Sequence, residues 1–199
     1  ASPASSMRFA GISPEIGLSE TQQTLVKNGL RGQVRLQVDG QLKSGRDIIL
    51  MALLGAEEFA FGTSALIVLG CVMMRKCNLN TCPMGVATQD PALRAHFRGH
   101  YTYLVNFFTF LAQEVREYLA QMGYTSLKDI VGHTELITPK DTIAGSKESM
   151  LDFHRLLCKE QGETSLHHTK QQIHDLSNVL DQQRSEERRV GKECLITCR

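Results

Sequence analysis

Gly70-Cys71-Val72-Met73-Met74-Arg75-Lys76-Cys77-Asn78-Leu79-Asn80-Thr81-Cys82-Pro83-Met84-Gly85-Val86-Ala87-Thr88-Gln89 holds three cysteines within twelve residues. Five residues separate the first pair and four the second, a proline follows Cys82, and glycine comes two residues later. Apolar burial does not require cysteine at all three places. Cys71 closes the run Ala65-Leu66-Ile67-Val68-Leu69 and suits a small buried hydrophobe. Cys77 and Cys82 sit among Arg, Lys, Asn and Thr and suit that role poorly. A disulfide leaves one thiol over, and nothing in the sequence points to an oxidising compartment. Structural zinc takes four ligands, commonly as close Cys-x-x-Cys pairs, and neither that spacing nor a loop histidine is present. Three thiolates in a tight loop suit a soft metal or a three-iron cluster. Spacing alone leaves the cluster and the plainer roles open.

The bounds on class come from composition. The chain has 199 residues, enough for one domain with a core. Lys plus Arg is 22 against 21 for Asp plus Glu, a net charge of +1. That balance argues against a nucleic-acid or other polyanionic partner. No apolar run reaches the roughly eighteen residues of a membrane span. The first residues lack the basic start and apolar centre of a signal peptide. Six cysteines without a secretory signal point to a reducing compartment and metal use.

Along the chain, residues 1–14 read as a loop of small residues. Residues 17–30 read as a helix, with Ser19 or Thr21 as its cap and Asn28-Gly29 as its stop. Residues 33–38 alternate and meet Asp39-Gly40, a strand with a turn at its carboxyl end. Residues 44–55 read as a helix closed by Gly55. Residues 58–62 read as a second strand, and 63–70 as a buried helix. Strand, helix, strand, helix is the repeat of a parallel sheet or barrel. Gly40 and Gly62 then follow consecutive strand ends, where barrel enzymes often hold a phosphate near a helix start. Strands also end in glycine routinely, so pattern alone does not decide this.

Residues 90–99 read as a short polar helix or loop, with His96 and His100 as surface histidines. Tyr101 to Met122 is the clearest helix. Val105, Phe108, Leu111, Ala112, Val115, Leu119 and Met122 form its core face, Glu114 lies off it, and Gly123 ends it. Ser126-Leu127-Lys128-Asp129 opens a short helix ending at Gly132. Residues 138–183 turn polar, with helical stretches at 147–157 and 168–180. His167, His168 and Cys158 fit no metal spacing there and read as solvated surface. Residues 184–199, with Cys194 and Cys198, resemble a translated sequencing adapter and are expected to be an assembly artefact.

The cysteine stretch closely resembles the 3Fe–4S loop of the glutamate synthase large chain. The resemblance extends upstream through Ala1-Ser2-Pro3, Gly17-Leu18-Ser19-Glu20-Thr21, Asp39-Gly40-Gln41-Leu42-Lys43-Ser44-Gly45-Arg46-Asp47 and Ala52-Leu53-Leu54-Gly55-Ala56-Glu57-Glu58. Downstream it takes in Val105-Asn106-Phe107-Phe108 and Glu114-Val115-Arg116, so it covers residues 1–137. The resemblance implies an α/β fold: the C-terminal part of a (β/α)8 TIM barrel, about strands seven and eight, with an iron–sulfur loop. It implies Cys71, Cys77 and Cys82 as cluster ligands. It implies Asp39, Gly40, Gln41, Gly62 and Thr63 as FMN-binding residues, and names no catalytic residue. Arg75 and Lys76 are expected to lower the thiol pKa values, and amides of residues 78–81 to donate to cluster sulfides.

The implied activity is reductive synthesis of L-glutamate from 2-oxoglutarate and glutamine-derived ammonia. Electrons would come from an NAD(P)H-linked subunit or from ferredoxin. The implied compartment is the cytoplasm, or a plastid in a photosynthetic eukaryote. Ala1 opens inside a matching motif, so the chain is expected to be a fragment that does not turn over alone. Two other classes fit the residues: another FMN barrel oxidoreductase with a cluster, and a non-catalytic electron-transfer or zinc-binding module.

Overall fold

The computed structural model describes residues 3–160, 162, 165–173, 175–177 and 179. The expected artefact at 184–199, with Cys194 and Cys198, lies outside the described residues. One compact unit spans Ala1–Thr169 and a second spans Lys170–Arg199. In the second, the Ser177 amide donates to Asp175 Oδ1 at 2.9 Å. The first unit runs past Ile137, where the sequence changes character.

The chain opens with α1 (Ala4–Phe9), where a loop is expected, and α2 (Pro14–Lys27). Proline at its first position starts α2, since its fixed φ suits a helix start. Neither Ser19 nor Thr21 caps it. Ser19 is buried and donates to the Leu156 carbonyl at 2.6 Å, and Thr21 donates back to Gly17 at 2.7 Å. Arg31–Gln33 forms a 3-10 turn, so the first strand is shorter than its alternation suggests: β1 (Gln37–Asp39). Then come α3 (Gly45–Leu53), β2 (Glu58–Ala60) and α4 (Thr63–Val68).

The two strands pair in parallel, Gln37 with Glu58, Val38 with Phe59 and Asp39 with Ala60. This is the expected parallel βαβ unit, in a chain otherwise mainly helical. Helix α3 sits between two apolar clusters. Met51 and Leu54 pack with Leu18, Val38, Leu42 and Ala56 on one side. Ile49, Ala52 and Leu53 pack with Leu119 and Ile130 on the other. Its start is fixed by a reciprocal cap: Ser44 Oγ accepts the Asp47 amide, and Asp47 Oδ2 accepts the Ser44 amide at 2.9 Å. Burial works to raise the Asp47 pKa, but the Lys43 and Ser44 amides hold it below the ordinary value.

Short α5 (Pro91–Arg94) is capped by Asp90, and α6 (Tyr101–Met122) ends at Gly123 in the left-handed region, as read. The core face of α6 differs from the one read from the sequence. Leu111 and Leu119 are buried, Val115 and Met122 pack on α3, and Val105 and Ala112 stay exposed. Glu114 faces inward instead and accepts the Gly45 amide at 2.6 Å. There the two helices touch: a β-carbon at Gly45 would lie 2.9 Å from the Glu114 side chain and the Val115 amide. Gly45→Ala is therefore expected to cost about 1–3 kcal/mol by overpacking, measured as a lower urea midpoint.

Beyond Ile137 the only helical piece among the described residues is the 3-10 turn Glu148–Met150, so the described residues of 147–157 and 168–180 do not form the expected helices. The described residues of 155–169 are instead tied down as a strap. Gln23 donates to the Arg155 carbonyl, Thr134 to Leu157, Gln22 to Leu166, and the Thr169 amide to Gly32. The segment read as solvated is thus half-buried at Cys158, His167 and His168. Its backbone polar groups are met by α2 and by Gly32, Glu57 and Thr134, which a search for metal spacing does not reveal. No helix among the described residues is long and apolar enough to cross a membrane.

Candidate functional site

Because β1 and β2 run parallel and in register, the segments leaving them emerge at one edge. The first holds Asp39, Gly40 and Gln41, the second Gly62 and Thr63. Gly40 has φ +156 and lies against Pro14, whose ring a β-carbon would meet at 3.2 Å. Gln41 is left-handed at φ +59, and its Nε2 reaches Thr63 Oγ1 at 3.5 Å. Residues assigned separately from the two strand ends are thus brought together. Gly62 caps α4 without a side-chain hydrogen bond, and the space above its α-carbon is open for 4 Å. Next to Thr63, Ser64 is 4% exposed, and its hydroxyl has no hydrogen-bond partner among the described residues. Asp39 is exposed at the end of β1.

The cysteine loop leaves α4 directly, the Cys71 amide donating to the Leu66 carbonyl at 2.9 Å. Cys71, Cys77 and Cys82 are all free, half-buried, and line one small cavity with Met73, Arg75 and Pro83. The loop bends through left-handed residues at Met73, Arg75 and Asn80. A 3-10 turn, Cys77–Leu79, precedes Asn80. The Met73 amide donates to Cys71 Sγ at 3.4 Å.

Cys82 is held below the ordinary thiol pKa by the Ala87 amide first, then by those of Met84, Val86 and Gly85. The largest causes that lower it come from residues after the cysteine in sequence. The reason is local: proline and a left-handed Gly85 wrap the following residues back over the sulfur. Left-handed Asn80 and its partners Thr88 and Gln89, which close this turn, were not singled out by sequence. The signal was there, since asparagine tolerates that conformation better than most residues. His96 and His100 are exposed as expected; His96 Nδ1 lies 3.1 Å from the Pro83 carbonyl, and His100 caps α6.

Among the described residues, no three His, Cys, Asp or Glu side chains converge on one point as a single metal ion requires. Three thiols lining one cavity are a donor set of the kind that iron–sulfur clusters take.

Residues 1–125 match the family described as a conserved region in glutamate synthase. The chain is 44% identical over 185 residues to the glutamate synthase [NADPH] large chain of Bacillus subtilis, covering 90% of this chain and 12% of that one. It is 51% identical over 184 residues to ferredoxin-dependent glutamate synthase 1, chloroplastic/mitochondrial, of Arabidopsis thaliana, covering 91% and 11%. With glutamate synthase [NADH] of Schizosaccharomyces pombe it shares 42% over 190 residues, covering 94% and 9%. The chain thus spans about a tenth of the length of the curated relatives it matches. The similarity also takes in more of the chain than residues 1–137, so it runs on into the strap. By these matches the chain belongs to the glutamate synthase family.

Proposed function

We propose that this chain is the part of a glutamate synthase that carries the 3Fe–4S loop and the phosphate end of the FMN site. The carrying observation is the cavity shared by Cys71, Cys77 and Cys82, on the loop that leaves the second strand's helix. The parallel β1–α3–β2 unit is read as strands seven and eight of a (β/α)8 barrel, with residues 1–137 as the flavin and cluster region.

The three cysteines would bind the cluster. Gly40 and Gly62 would give the flavin phosphate access to backbone amides, with Gln41 and Thr63 donating to its oxygens and Asp39 bonding a flavin hydroxyl. The unpartnered Ser64 hydroxyl supports an acceptor at this place. The flavin supplies hydride chemistry when bound; the protein's part is to orient it, exclude water and set potentials. The reaction would be the synthesis of L-glutamate from 2-oxoglutarate and glutamine-derived ammonia. The relatives' names divide among NADPH, NADH and ferredoxin, so the donor is proposed as ferredoxin or a nicotinamide-linked subunit. The compartment is proposed as the cytoplasm, or a plastid in a photosynthetic eukaryote. The chain alone is proposed not to turn over.

Flavin titration tests the FMN residues. Thr63→Ala and Gln41→Ala should each weaken FMN binding about tenfold or more, the loss of one hydrogen bond to a charged group. Fluorescence quenching of FMN reads this directly, and unchanged affinity in both variants would remove them from the site.

A further inference from the structure

One short segment, the turn that closes α5 and its exit to Gly99, touches both ends of the cysteine loop. Its own backbone bonds hold it together: the His96 amide donates to the Leu93 carbonyl at 3.0 Å, and the Phe97 amide to Arg94 at 3.1 Å. At one end, His96 Nδ1 lies 3.1 Å from the Pro83 carbonyl oxygen, directly after Cys82. A carbonyl only accepts, so Nδ1 carries the proton and donates. Gly85 lies against the same turn. A β-carbon there would meet the Leu93 carbonyl oxygen at 2.6 Å and the Phe97 nitrogen at 2.9 Å. The Gly85 amide in turn donates to the Cys82 carbonyl at 3.2 Å. At the other end, a β-carbon at Gly99 would lie 2.9 Å from the Leu69 carbonyl oxygen. Leu69 closes α4, and the Cys71 amide is bonded to that helix through Leu66. The chain entering Cys71 and the chain leaving Cys82 therefore rest on one segment, and both thiols line one small cavity.

We infer that residues 93–99 are a brace for the cysteine loop, with His96 and Gly99 as its positioning residues. His96 holds the chain leaving Cys82, Gly99 seats the chain entering Cys71, and together they keep the two end thiols on one cavity. The geometry does not depend on what the thiols bind. Its consequence for a cluster rests on the cluster reading: donors held in place beforehand lose less freedom on binding, so they hold metal longer.

Three variants test the brace. His96→Ala deletes the donor to Pro83, and His96→Asn keeps an N–H at that place. Gly99→Ala sets a methyl against the Leu69 carbonyl. Gly99 lies outside the left-handed region, so the new contact changes and the backbone is not strained. The Phe97 ring, 2.5 Å from that methyl, is 41% exposed and free to swing away; the Leu69 carbonyl is not. Two readouts are taken on the full chain. In metal-free, reduced protein, dibromobimane links neighbouring thiols, and the Cys71–Cys82 link is mapped by mass spectrometry. After anaerobic reconstitution with iron and sulfide, the rate of iron loss to a chelator is followed. Both alanine variants should form the link several-fold more slowly. His96→Ala should lose iron about fivefold faster, the worth of one net hydrogen bond, and Gly99→Ala at least as fast. His96→Asn should match wild type in both.

Wild-type linking in His96→Ala and Gly99→Ala overturns the brace. So does a lowered urea midpoint with linking unchanged, which would leave the segment as support for the fold alone. A wild-type chain that takes up no iron overturns the cluster reading instead, and the thiol link then still decides the brace. If Gly99→Ala does not fold, the His96→Ala and His96→Asn pair makes the same comparison.

Discussion

Replacing Cys71, Cys77 or Cys82 singly with serine is expected to strip most of the iron and acid-labile sulfide from the protein, while Cys158→Ser leaves both unchanged. All four thiols are free and half-buried, so burial does not distinguish them. Place does. Three line one cavity, whereas Cys158 lines another with Ser19, Gln22 and Thr134. Loss of an outer partner of a metal ligand already costs about 10–100-fold in affinity, so loss of a ligand should cost at least that. A merely structural role predicts otherwise: each loop substitution would lower stability modestly and leave metal content alone. Iron, sulfide and circular dichroism on the four variants separate the two. Equal iron in Cys77→Ser and Cys158→Ser would sink the assignment.

The second large effect concerns stability. Arg31 is fully buried and reaches four partners: the Glu57 carboxylate at 2.6 Å, the Val34 carbonyl at 2.7 Å, the Gly55 carbonyl at 3.1 Å and Gln22 Oε1. Glu57 in turn accepts the His168 amide at 2.8 Å, which anchors the strap. Arg31→Met leaves Glu57 half-buried without its cation and three oxygens without a donor. Breaking a buried pair this way costs about 3–5 kcal/mol, against a total stability of about 5–15. By contrast, the exposed Lys159–Glu135 pair should be worth about 0–1 kcal/mol.

The pair also sets a pH dependence. Burial works to raise the Glu57 pKa, but the Arg31 hydrogen bond and the His168 and Leu36 amides bring it below the ordinary value of 4.5. A depressed folded-state pKa contributes stability above the unfolded value and loses it as pH falls through the folded one. The stability gap between wild type and Glu57→Gln should therefore be full near neutral pH and shrink below the ordinary carboxylate range. Urea denaturation at several pH values between neutrality and mild acid checks this. A gap that widens on acidification would contradict it.

What was legible in the sequence was local. The span of α3 and its end at Gly55 were read from adjacent residues, as was the end of α6 at Gly123, while the Ser44–Asp47 cap was not read. The parallel βαβ order followed from strand and helix signals alone. The Arg31–Glu57 centre was not legible, because its partners lie 26 residues apart and neither residue type announces burial. The strap was missed because its bonds all use its backbone amides and carbonyls, which any sequence supplies. On α6 the apolar period was right, but which turns find a partner is decided by where α3 ends. At the site, the three cysteines stood out by spacing. The donors to Cys82 did not, since amides carry no residue signature.

The measurement that bears most directly on the central claim is metal and acid-labile sulfide per chain in protein prepared anaerobically. The three-thiol cavity predicts about three iron and about four sulfide, the content of a 3Fe–4S cluster. Stoichiometric zinc without sulfide would contradict it and return the loop to a structural metal-binding role.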